Sequence, residues 1–246
     1  MTGSWPIWAA HHVLDEGSLD DVALQDARAV LDSIDPRFPS LIGTLAEEFG
    51  LPLLERRRRV GALCLMFATV QLADDLADGE CDYLPEAHRR GPGTQWLLQH
   101  LSVECLLNTE CTLNTVTGAL RCFARMGSAQ QLEVRRAQWD LDSARGAATG
   151  LNGNQFAAYF GILADGTVWA ERASRIGQDF GEVLHVVGDS VSSDPRISTL
   201  TDAERLALCG WAQERLHRLL DTNLVVIQRV TDWFSAVLAS TSDSAR

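Results

Sequence analysis

Three aspartates, Asp74, Asp75 and Asp78 in the segment QLADDLADGE, are the residues of this chain best spaced to do chemistry. At about 100° per residue, Asp74 and Asp78 stack one turn apart on a helix and Asp75 stands i,i+3 from Asp78, so all three carboxylates share one side. Alone, that arrangement is unfavourable: like charges at i,i+4 repel, and acids at a helix C-terminus meet its partial negative charge. A cation should compensate. Mg²⁺ suits the place, because it takes one or two carboxylates plus phosphate oxygens and keeps its remaining waters. Arg89 and Arg90 follow in HRRGPGTQW. A guanidinium pair beside Gly and Pro, just before a helix start, can clamp a diphosphate bidentately. The bland alternatives are a solvated acidic helix end and two solvated loop arginines.

The composition narrows the chemistry. The net charge of −12 argues against a nucleic-acid partner. All 21 basic residues are arginine, which excludes a Schiff-base lysine and a P-loop lysine. A 46% hydrophobic content in 246 residues supports one large core, so a single domain over 1–246 is expected, with 1–17 as an N-terminal segment and 241–246 as a frayed tail. No apolar run of about 18 residues lacks charge, so no integral membrane segment is expected. The six cysteines form no CxxC pair and read as free thiols of a reducing compartment. With no recognisable leader in MTGSWPIWAAHHVLDEG, the expected location is cytoplasmic.

The elements that must position these residues are helical throughout. Apolar periodicity predicts helices over 19–34, 38–49, 53–79, 94–107, 110–126, 128–147, 151–164, 167–192 and 201–240, with no convincing strand. Ser18 and Thr201 are expected N-caps, the latter in a capping box with Glu204, and Pro52 suits a helix start. The loops 80–93 and 193–200 each follow an acidic cluster. The fold class is all-α, a helical bundle.

QLADDLADGE followed by RRGPGTQ resembles the first aspartate-rich motif of trans-polyprenyl diphosphate synthases, and RRRRVGALCLMFATVQLADDLADGE also resembles that of squalene and phytoene synthases. Both belong to the class I isoprenoid synthase superfamily, whose fold, shared with terpene cyclases, is a bundle around a central apolar cavity. FGEVLHVVGDSVSSDPR resembles the second motif of these enzymes, FGxxFQIxDDxxD, in degenerate form. His185 stands for the Gln, Gly188 for the first Asp, Asp189 for the second and Ser192 for the third, with Asp194 two residues on. Asp189 and Ser193 are i,i+4, but Ile197 holds the place of a cyclase-type glutamate. The segment around NQFAAYFGILADGTVWAERASRIG resembles the region between the two motifs, with Asp165 where the synthases carry lysine.

The resemblance implies an enzyme that binds two or three Mg²⁺ ions through Asp74, Asp75, Asp78, Asp189, Ser193 and Asp194 and ionises an allylic prenyl diphosphate of C10–C20. Arg89, Arg90, Arg145, Gln71, Gln155, His185, Phe67 and Phe160 are the substrate-binding candidates. Phe156, Trp96 and Trp169 are further candidates to line the cavity, and a homodimer is the family's habit. A terpene cyclase is expected ahead of a coupling or elongating prenyltransferase, because the stretch that binds a second diphosphate is reduced to Arg37 in IDPRFPS. The Arg-Tyr pair of many cyclases is also missing, since the only tyrosines are Tyr83 and Tyr159. A non-catalytic helical subunit of a prenyl synthase is the reading from a different class.

Overall fold

The computed structural model describes residues 5–16, 19–135, 138–192 and 194–244. These residues form α1 (Trp5–Glu16), α2 (Asp21–Ser33), α3 (Arg37–Glu48), α4 (Leu53–Asp78), α5 (Ala87–Leu107), α6 (Leu113–Arg135), α7 (Leu141–Ala148), α8 (Asn154–Ala164), α9 (Ala170–Ser192), α10 (Asp202–Leu220) and α11 (Val225–Ser244), with no strand among the described residues. A π-turn, Thr149–Gly153, joins α7 to α8, and a 3₁₀ turn, Ile197–Thr199, precedes α10. The chain divides into two compact units, Met1–Leu113 and Asn114–Arg246.

In the first unit, α4 packs against α1, α2, α3 and α5. That explains its sequence: a helix with neighbours on several sides is apolar all round rather than on one stripe. Val60 to Met66 are all buried. Gly61 admits the backbone of α1, since a Cβ there would meet the Ala9 carbonyl oxygen at 3.1 Å. Near its start, buried Arg59 pairs with buried Glu55 at 3.0 Å, and Glu55 also accepts the Glu110 amide at 3.0 Å. The helix stops at Gly79, whose φ of 74° only glycine adopts at little cost, with the Gly79 amide returning to the Asp75 carbonyl. By length and composition alone α4 is the one helix among the described residues long and apolar enough to cross a membrane. Half of its most apolar stretch is buried inside the protein, as in a core helix.

In the second unit, α9 is the central element, packed on α8, α10 and the π-turn. Its buried face runs through Ala173, Ile176, Phe180, Val183 and Val187. Two acids of α9 fasten α10: Asp179 takes both nitrogens of the Arg218 fork at 2.9 and 2.6 Å, and buried Glu182 pairs with Arg215. Glu182 also accepts from Thr149 of the π-turn at 2.8 Å and from Gln178 at 2.9 Å. Gly181 allows the closest approach, because a Cβ there would lie 2.0 Å from the Asn152 carbonyl oxygen.

Several boundaries differ from expectation. Trp5–Glu16 is helical. α5 starts at Ala87 and absorbs Pro92. α6 runs through Gly127 to Arg135, where two helices were expected. The expected helix 201–240 breaks between α10 and α11, where Asn223 takes a φ of 58°. The Thr201 capping box is present, whereas Ser18 lies outside the described residues and Asp20 caps α2, accepting from the Val22 and Ala23 amides at 3.0 Å. All six cysteines are free thiols, four of them buried.

Candidate functional site

The end of α4 carries the first acidic cluster. Asp74 and Asp78 are exposed and one turn apart, and Asp75 is half-buried. The Tyr83 phenol donates to Asp75 Oδ2 at 2.6 Å, so the loop after α4 fixes this carboxylate. Burial, and then the Asp75 carboxylate, hold the Tyr83 hydroxyl far above its ordinary pKa, so it remains a donor. Asp78 makes no ion pair among the described residues. No group of three or more His, Cys, Asp or Glu among the described residues is gathered tightly enough to hold a metal. Mg²⁺ asks for less, one or two carboxylates with phosphate and water, and the hard oxygen pair of Asp74 and Asp78 fits that demand.

The other candidates of this unit are partly committed. Arg90 forks onto buried Asp26, with Nε to Oδ2 at 2.8 Å and Nη2 to Oδ1. Arg89 pairs with Glu86 at 3.0 Å in solvent. Gln71 donates to the Ser33 hydroxyl at 3.2 Å. Phe67 stacks on Phe38, with centroids 3.8 Å apart. Trp96 is 69% exposed, on the outer surface of α5. Arg37 is folded onto Asp35, with Nε within 3.0 Å of both carboxylate oxygens. A cavity of about 580 Å³, lined by Trp8, His12, Arg57, Arg58, Glu104 and Cys105 among others, lies at the opposite end of α4. Residue 58 is about 24 Å along the helix axis from residue 74, so that cavity is no part of the acidic cluster.

The end of α9 carries the second cluster, and its geometry is different. His185 Nε2 lies 3.4 Å from Asp189 Oδ2, yet neither atom makes a hydrogen bond, and both are buried. Burial pushes the His185 ring down to about 4, against the opposing pull of Glu133. Burial, then Asp194, pushes the Asp189 carboxyl up to about 7, with Arg196 acting the other way. Asp194 is occupied: Arg196 donates to it from its backbone amide at 2.7 Å, from Nε at 3.0 Å and from Nη2 at 2.6 Å. The third nitrogen, Nη1, pairs with Glu133 of α6 at 2.5 Å. The Ser192 hydroxyl is exposed and donates to the Asp189 carbonyl, and Ser193 lies outside the described residues.

Elsewhere in this unit, Gln155 donates to the Tyr159 hydroxyl at 3.0 Å. Phe156 and Phe160 are buried in a ring cluster with Phe180, so both pack as core. Trp169 carries the Arg172 guanidinium on its face at 4.2 Å. Arg145, in the last turn of α7, has a buried Nε without a hydrogen bond and lies 5.9 Å from the Trp211 ring centre. Residues that sequence reasoning missed are Tyr83, Asp26, Glu133 and Arg196. Tyr83 and Arg196 were within reach, since each lies a few residues beyond its acidic cluster.

No family model matches the chain, and a search of curated proteins finds no match. Solved structures do match. A geranyltranstransferase of Thermotoga maritima superposes with a TM-score of 0.76 at 16% identity, covering 98% of each chain. A geranyltransferase of Legionella pneumophila gives 0.71 at 14% identity, covering 99% of this chain and 96% of that one. A geranylgeranyl pyrophosphate synthase of Lactobacillus brevis gives 0.67 at 14%, covering 98% and 86%. The chain has the all-α isoprenoid synthase fold.

Proposed function

We propose that this chain is a class I isoprenoid synthase that ionises a single allylic prenyl diphosphate with the help of Mg²⁺. The observation that carries the reading is the exposed Asp74–Asp78 pair at the end of a buried helix, on a fold whose named relatives are prenyl-transferring enzymes. Asp74 and Asp78 would hold the metal, with Asp75 oriented beside them by Tyr83. When bound, Mg²⁺ would neutralise charge that develops on the leaving diphosphate.

After ionisation the cation can close on an internal double bond or attack a second prenyl unit. The names of the structural relatives favour transfer. The commitment of Arg37 to Asp35 and the absence of lysine favour the single-substrate route, since a second diphosphate would have few cations to hold it. Incubation with geranyl, farnesyl and geranylgeranyl diphosphates and Mg²⁺, with and without isopentenyl diphosphate, tests the reading. Pyrophosphate released from an allylic substrate alone supports it. Release that requires isopentenyl diphosphate makes the chain an elongating transferase, and no release under either condition refutes an independent enzyme.

A further inference from the structure

We propose that Arg196 is a built-in cation that stands in for a divalent metal ion at the end of α9. The acids at this place do not fit a metal. Gly188 offers no side chain, Ser192 points its hydroxyl at its own helix, and Asp189 is pressed against His185. Asp194 spends both oxygens on Arg196, and Glu133 takes the remaining terminal nitrogen of the same guanidinium. The Trp139 ring lies under it, 5.0 Å from ring centre to guanidinium carbon. One cation is thus held by two carboxylates and an aromatic face, the way a metal is held by its ligands, and it is attached to the chain.

The local sequence enforces this. Asp-Pro-Arg occurs twice, at 35–37 and at 194–196. In both, the aspartate accepts the amide of the arginine two residues on, at 2.9 and 2.7 Å, and receives the guanidinium fork as well. This is an Asx-type turn, with the proline setting the bend. At Arg37 the fork sits in solvent, with the arginine side chain 86% exposed. The tripeptide therefore folds its arginine onto its aspartate without tertiary help. At Arg196 the same fork is covered further by Glu133 and Trp139, and the turn is tied down where Thr199 Oγ1 accepts the Trp139 amide at 2.9 Å. With one fixed positive charge seated between two fixed negative ones, the net negative charge falls from two to one and both carboxylates are already occupied, which weakens the pull on a free divalent ion.

The inference rests on the isoprenoid-synthase reading for the expectation of a metal at this place. It is tested by ion binding, so it can fail while that reading stands. Mn²⁺ binding to the full chain is counted by electron paramagnetic resonance, with Mn²⁺ alone and with inorganic pyrophosphate. In the wild type, Asp194→Asn leaves the number of bound ions and their affinity unchanged within about twofold, or ~0.4 kcal/mol. Arg196→Gln gains one Mn²⁺, and adding Asp194→Asn to it removes that ion again. The idea is overturned if Asp194→Asn costs the wild type an ion, or if folded Arg196→Gln gains none. Should Arg196→Gln fail to fold, Asp194→Asn and Asp189→Asn in the wild-type background decide: ion loss in either overturns the proposal, and an unchanged count in both supports it.

Discussion

The ends of α4 and α9 carry comparable numbers of acids and treat them in opposite ways. At α4 the carboxylates of Asp74 and Asp78 stand in solvent, and the nearby Arg90 is drawn away to buried Asp26. At α9 the acids are half-buried, and Arg196 folds back onto Asp194 and Glu133. An exposed cluster can exchange its contacts for a mobile ion, whereas a half-buried one braced by its own guanidinium has less need of one. Aspartate count alone therefore says little about metal binding. What matters is where the nearest arginine is fastened.

The largest expected effect strikes the open end. Asp74→Asn with Asp78→Asn should lower Mg²⁺-dependent pyrophosphate release by on the order of 10²–10³-fold or more, because charge stabilisation at the leaving group is lost. The melting temperature should hardly move, since both side chains are exposed. Arg90→Gln separates a clamp from a strut. It strands the Asp26 carboxylate in the core, so destabilisation of about 3 kcal/mol is expected in urea titrations. Loss of activity at unchanged stability would instead restore Arg90 to the substrate.

The closed end has its own signature in pH. The His185 pKa is depressed, so its contribution to stability falls as pH drops from about 6.5 to about 4. The Asp189 pKa is raised, so its contribution falls as pH rises from about 4 to about 7. Across their shared window the two slopes cancel, and the metal-free wild type should gain or lose little there through this pair. Asp189→Asn removes one slope, so its stability should rise with pH between about 4 and 6.5, by roughly 3 kcal/mol in all. Parallel melting curves for the variant and the wild type would contradict this. The smallest effect is that of Tyr83→Phe. With Asp75 freed of its orienting phenol, the cluster should bind Mg²⁺ about tenfold more weakly, as calorimetry with Mg²⁺ and pyrophosphate would show.

Much of the scaffold was legible in the sequence, because α4, α9 and the Thr201 cap depend on periodicity and local capping. The break between α10 and α11 was not, since Asn223 supplies a left-handed residue without the glycine that would announce it. Gly127 misled in the other direction, as α6 tolerates a glycine in its interior. The two acidic clusters were visible in the sequence too. Their counter-charges were less so: Asp26 is 64 residues from Arg90, and Glu133 reaches Arg196 only through the tertiary fold. Asp-Pro-Arg at 194–196 was the exception, a local turn whose meaning shows once its solvent-exposed twin at 35–37 is set beside it.

The most direct measurement is pyrophosphate release from geranyl, farnesyl and geranylgeranyl diphosphates by the purified chain, with Mg²⁺ and then with excess chelator. Release by the wild type with at least one substrate, abolished by chelator and by the Asp74→Asn, Asp78→Asn pair, is the predicted result. Release that survives either treatment would contradict the role assigned to the end of α4.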